Sequence, residues 1–177
     1  MERGKLSARR ESRRFKILSD WYFPDAEYTL YHDGNIRLKK LFPFDWLRDH
    51  DIAVCPHPDT DNAYEEAVRC LKWGKGNQEL IKAQIMRYKA EGFPEHVGAV
   101  GCSVILRRHT EAVARFNQVW WEEILRGSAR DQISFNYVSW KLDIGYDGIP
   151  WGGVRDNDCF EYTEPVWHHA PMEAVRL

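Results

Sequence analysis

The chain has 177 residues, of which 29% are charged and 44% hydrophobic, and its formal net charge is −2. These values describe one globular domain over residues 1–177, long enough to bury a core. They exclude a general electrostatic pull toward nucleic acid or acidic membranes, and no run approaches the 18 apolar residues of a membrane-spanning helix.

The N-terminal stretch "GKLSARRESRRFK" carries Lys5, Arg9, Arg10, Arg13, Arg14 and Lys16, with Arg3 just before, against Glu2 and Glu11. Residues 7–20 predict a helix with Phe15 and Leu18 on one side and basic residues on the other. That basic face reads as a solvated surface, as an anion site for a diphosphate, or as a nucleic-acid contact. "FPDAEY" is a turn, and "EYTLYHDGNI" predicts a buried strand that runs into a sharp turn at Asp33-Gly34-Asn35. "DIAVCP" is a second short strand. "DTDNAYEEAVRCLKWG" and "NQELIKAQIMRYKAEG" are helices stopped by Gly74 and Gly92.

"VGAVGCSVILRRH" predicts a strand pair or one long bent strand, and "TEAVARFNQVWWEEILRG" a helix with Val113, Phe116, Val119, Trp120 and Ile124 in one stripe. "SARDQISFNYVSWKL" is the next helix, with Ile133, Tyr137 and Trp140 inward and Ser128 capping its start in an S-x-x-D pattern. Residues 143–177 read as loops with short strands. The alternation predicts an α/β fold, a mostly parallel sheet flanked by helices. Such sheets bind ligands at the carboxyl ends of their strands, where Asp33 falls.

Four cysteines, Cys55, Cys70, Cys102 and Cys159, form no CxxC pair, which argues against a zinc knuckle. Free buried thiols in a reducing, cytoplasmic compartment are the simplest account, and the charged N-terminus lacks the apolar stretch of a signal peptide. The aromatic content is 14%, with eight Trp; flat rings serve core packing and also match the C–H faces of sugars. Asp33 and Asn35 read either as turn residues or as oxygen ligands for Mg2+ or Mn2+, which leave positions open for phosphate. Asp131, at a helix N-terminus, stays ionised and can hydrogen-bond sugar hydroxyls or act as a base. One of the adjacent histidines in "PVWHHAP" can face a metal or phosphate.

Taken in order, "RRESRRFKILSDWYFPDAEYTLYHDGNI", "HDIAVCPHPDTDNAYEEA", "IKAQIMRYKAEGFP", "WWEEILRGSARDQISFNYVSWK" and "WHHAP" resemble the glycosyltransferase-like domain family that includes plant mucilage-related and turgor-regulation proteins. The resemblance runs from residue 9 to about 171. It implies a GT-A-like, Rossmann-like fold whose N-terminal nucleoside-binding unit is short or missing. It also implies a nucleotide-sugar donor and a saccharide or other hydroxyl acceptor. In that pattern Asp33 and Asn35 occupy the first and third places of a D-x-D metal motif, and His168 or His169 completes the shell around Mn2+ or Mg2+. Asp131 and Gln132 line the donor-sugar or acceptor side, and Arg10, Arg13 and Lys16 face the diphosphate. The expected activity is sugar transfer, the alternatives being a non-catalytic carbohydrate-binding or scaffold relative and a phosphate-ester hydrolase.

Overall fold

The structure, a computed structural model, describes residues 6–149 and 158–163. Helix α1 (Ala8–Ile17) leads into a single turn, α2 (Ser19–Tyr22), then strands β1 (Tyr28–His32), β2 (Ile36–Leu38) and β3 (Ile52–Pro56). Helices α3 (Ala63–Lys72) and α4 (Gln78–Ala90) precede β4 (Val100–Arg108). Helices α5 (Glu111–Arg126) and α6 (Asp131–Leu142) precede β5 (Asp147–Gly148) and β6 (Phe160–Tyr162). Side-chain caps set the helix starts, as expected of Ser, Asn and Thr at that position. Ser7, Asn62, Asn77 and Thr110 each accept a first-turn backbone N–H. Gly74 and Gly92, at φ 63° and 83°, close α3 and α4.

The main sheet has the order β1-β4-β3-β5, and β2 pairs with β6 in a separate two-stranded ribbon. The sheet is α/β but not mostly parallel. β4 runs antiparallel to both neighbours, β1 and β3, while β3 and β5 are parallel. The cause is the number of helices in each connection. One helix between strands returns the chain for a parallel strand; here a pair separates β3 from β4, and a second pair separates β4 from β5. Each pair reverses direction, so β1, β3 and β5 point one way and β4 the other.

Both faces of the sheet are covered. Ile52, Val54, Val100 and Ile105 pack against the helices, with Phe116, Trp120, Ile133 and Phe135 opposite. Ala53, Cys55, Val104 and Leu106 pack on the other face with Trp46, Ile149 and Phe160. Burial on both sides explains why "IAVCP" reads as a continuous apolar run. All four cysteines are buried. Among the described residues no helix is long and apolar enough to cross a membrane.

Several local expectations change. The buried face of α1 is Lys16 and Ile17, followed by Leu18, whereas Phe15 is 55% exposed. β1 is an edge strand and only half-buried. For β4 the second of the two readings holds: it is one strand, irregular where Cys102 adopts φ 52° and the register to β3 shifts. Trp140 is 38% exposed, with its ring against Phe93 and Tyr137. Ser128 does not cap α6; its hydroxyl donates to Gln84 Oε1 at 2.8 Å, and Arg130 occupies the cap position.

Opposite the chain's carboxyl-edge turns, Asp147 organises residues 48–50. Its Oδ2 accepts the backbone N–H groups of Arg48, Asp49 and His50 at 2.9, 3.1 and 3.0 Å. Asp147→Ala leaves three donors without their charged acceptor. It should lower unfolding free energy by about 3 kcal/mol, read as a shifted urea midpoint with an unchanged slope.

Candidate active site

Because β1, β3 and β5 share a direction, their carboxyl ends meet at one edge of the sheet, together with the start of β4. Asp33 follows β1 directly. Its N–H donates to Ser103 O at 2.9 Å, and its carbonyl accepts from Ile36 N at 2.9 Å, closing the turn over Gly34 and Asn35. Its Oδ1 accepts from the Tyr31 hydroxyl at 2.8 Å.

Helices α1 and α6 bring further charges to this point. Lys16 Nζ lies 2.5 Å from Asp131 Oδ2 and 3.7 Å from Asp33 Oδ1. Arg13 Nε lies 3.3 Å from Asp131 Oδ1. The Lys16 ammonium also sits 4.8 Å from the Tyr31 ring centre. The Lys16 and Asp131 side chains are 2% and 3% exposed, whereas Asp33 is 39% exposed. Burial alone raises the Asp131 carboxyl pKa; Lys16 and then Arg13 outweigh it and hold the group below its ordinary value. Burial, followed by the Asp33 carboxylate, raises the Tyr31 phenol, so it remains a donor.

The structure therefore brings Asp33, Asp131, Lys16 and Arg13 together. Arg10 lies apart from this group, donating through Nε and Nη2 to Ile124 O and Gly127 O at the end of α5. Arg13 and Lys16 are both engaged by Asp131. Asn35 O accepts from Thr163 N and Oγ1. His168 and His169 lie outside the described residues. No three His, Cys, Asp or Glu side chains among the described residues could hold a metal together. Asp33 offers one carboxylate with an ammonium 3.7 Å away. This donor set does not fit a divalent ion held by the described residues alone.

Gln132 belongs to a second group on the same edge. Its Oε1 accepts from Arg130 Nη2 at 2.6 Å, and the same nitrogen donates to Glu66 Oε1 at 3.2 Å. His57, just after β3, accepts the Asp59 N–H at Nδ1 (3.2 Å). That leaves Nε2 as the N–H facing Glu66 Oε2 at 3.3 Å. Cys70 Sγ also donates to Glu66. Burial works to raise the Glu66 carboxyl pKa, but hydrogen bonds from His57, Cys70 and Arg130 lower it from 4.5 to about 2. Sequence reasoning missed His57 and Glu66. The signal was present for His57: it follows a strand at the same edge as Asp33, in "CPHPD".

The TOD1/MUCI70 glycosyltransferase-like domain family matches residues 6–149. The chain belongs to this family. It is 32% identical over 148 residues to a probable hexosyltransferase, MUCI70, of Arabidopsis thaliana, covering 76% of this chain and 25% of that protein. It is 25% identical over 137 residues to the alkaline ceramidase TOD1 of Arabidopsis thaliana, covering 70% of this chain and 30% of that protein. The chain thus spans between a quarter and a third of the curated relatives it matches. No solved structure matches.

Two outcomes test this geometry. Lys16→Met takes the nearer of two cations from a buried carboxylate and leaves Arg13 as the other, so it should cost about 3 kcal/mol, the low end for a broken buried pair; adding Asp131→Leu should recover part of the loss in denaturant titrations. Glu66 has a depressed carboxyl pKa, so its contribution is complete above pH 4.5 and drains as pH falls toward about 2. Glu66→Gln should therefore flatten the wild-type loss of stability with acid over that window, measured by urea unfolding at stepped pH.

Proposed function

We propose that this chain forms the sugar-transfer edge of a glycosyltransferase that moves a sugar from a nucleotide-sugar donor to an acceptor hydroxyl. The observation that carries the reading is the convergence of Asp33 and Asp131 on Lys16, at the common carboxyl edge of β1, β3 and β5, in a member of a glycosyltransferase-like family. Strands of one direction ending at a shared edge are where α/β sheets take ligands, and this supports a GT-A-like arrangement despite the antiparallel β4.

In the reaction the acceptor oxygen bonds to the anomeric carbon, the bond from that carbon to the diphosphate breaks, and the acceptor proton passes to an oxygen of the departing diphosphate. Asp33 is the exposed carboxylate of the cluster and is assigned to the donor side. Asp131 is buried, paired and held ionised, which makes it a weak base. Its role is to position the start of α6 and with it Gln132, which orients the acceptor sugar. The roles given to these residues do not draw on a divalent ion, because among the described residues Asp33 alone makes no cage for one.

The relative named as a ceramidase raises a second chemistry, amide hydrolysis on a lipid. A ceramide would need an apolar slot for two alkyl chains, whereas the cleft at this edge sets one indole, Trp73, and two prolines among the charged side chains of Asp59, Glu66, Arg69, Lys75 and Arg130. A carbohydrate-binding scaffold would bind saccharide and no nucleotide.

Calorimetric titration with UDP-glucose, UDP-galactose and GDP-mannose, each with and without Mn2+, separates these readings. At least one nucleotide sugar is expected to bind, and Asp33→Ala should weaken it about tenfold, equivalent to about 1.4 kcal/mol. Binding of none of the three, or an unchanged affinity in Asp33→Ala, would overturn the assignment.

A further inference from the structure

A cleft of about 260 Å3 opens beside this cluster, between the β3–α3 loop, the start of β4 and the start of α6. Ser103 joins the two places. Its carbonyl holds the Asp33 N–H, and the residue also lines the cleft. Trp73 stands at the wall, 61% exposed, with Lys75 Nζ 4.5 Å from its ring centre.

The charges of the lining cancel in pairs except for one. Arg69 is bonded to Asp59 at 2.9 Å, and Arg130 to Glu66 at 3.2 Å. Lys75 has no carboxylate partner among the described contacts. Arg130 Nε is buried with no hydrogen-bond partner. Gln132 engages Arg130 through its carbonyl oxygen, which turns its amide N–H groups to other acceptors. The unengaged groups are thus donors, beside an aromatic face.

Resting on the sugar-transfer reading, we propose that this cleft is the acceptor subsite and that it takes a saccharide bearing an anionic group. The sugar's C–H face lies against Trp73, its anion meets Lys75, and Gln132 donates to its hydroxyls. An indole next to a cation and amide donors matches a ring that is apolar on its face and acidic at its rim. Gly101 forms the floor. A Cβ built there would stand 3.6 Å from Cys55 O and Pro56 O and 3.8 Å from Ser103 Oγ, so a larger residue would fill the space without a forbidden backbone.

The test is calorimetric titration of the wild-type chain with uronate trisaccharides from hyaluronate, alginate and polygalacturonate, and with their carboxyl-reduced counterparts. At least one uronate should bind ten times more tightly than its reduced form. Lys75→Ala and Trp73→Ala should each weaken it about tenfold, Lys75→Arg should restore most of the loss, and Gly101→Val should abolish binding. Nucleotide-sugar binding should survive the Lys75 and Trp73 substitutions, which separates this inference from the donor assignment at Asp33. Equal binding of acidic and reduced sugars, no uronate binding, insensitivity to Lys75→Ala, or competition by UDP for the same cleft would each overturn it.

Discussion

A carboxylate withdrawn from water needs a cation within reach, and Asp131 imposes that requirement on three parts of this chain. It begins α6, where the helix dipole already favours negative charge, yet it is almost wholly buried. Lys16 and Arg13 reach it from α1, and Lys16 extends the contact to the end of β1. The pairing fixes where α1 lies across the sheet. Its net worth to stability against an apolar substitute is small, because desolvating two ions offsets most of their attraction. What it supplies is register: α1 and α6 have one arrangement that leaves no ion bare.

Much of the architecture was legible beforehand. The helix starts at Asn62, Asn77 and Thr110 and the stops at Gly74 and Gly92 follow from local chemistry, and local chemistry does not depend on distant partners. The helix pairs that set the direction of β4 were legible too; taking the alternation as one helix per strand is what makes the sheet read as parallel. Phe15 was misplaced for a different reason. An apolar residue beside basic ones suggests an inward face, but here the inward cation, Lys16, has a carboxylate waiting for it 115 positions later in the sequence.

The site shows the same division. Asp33 and Asp131 could be singled out because a strand end and a helix start are recognisable positions. The engagement of Arg10 with the end of α5, and of Arg13 and Lys16 with Asp131, is a tertiary fact. It removes those cations from the list of groups open to a diphosphate and leaves the donors of the neighbouring cleft as the unengaged ones. His57 and Glu66, which support that cleft through Arg130, are separated from it by more than 60 positions in the chain, and no spacing rule links them.

At the far edge of the sheet, Asp51 accepts from Arg108 and Thr110, and His109 N–H donates to Glu27 O. These bonds tie the beginnings of β1 and β3 to the end of β4, well away from Asp33. The two rims of the domain thus differ: one is stitched by these bonds, while the other carries the Asp33 turn and the cleft beside it. Loop length and side chains at the Asp33 rim can therefore change without loosening the bonds that hold the opposite one.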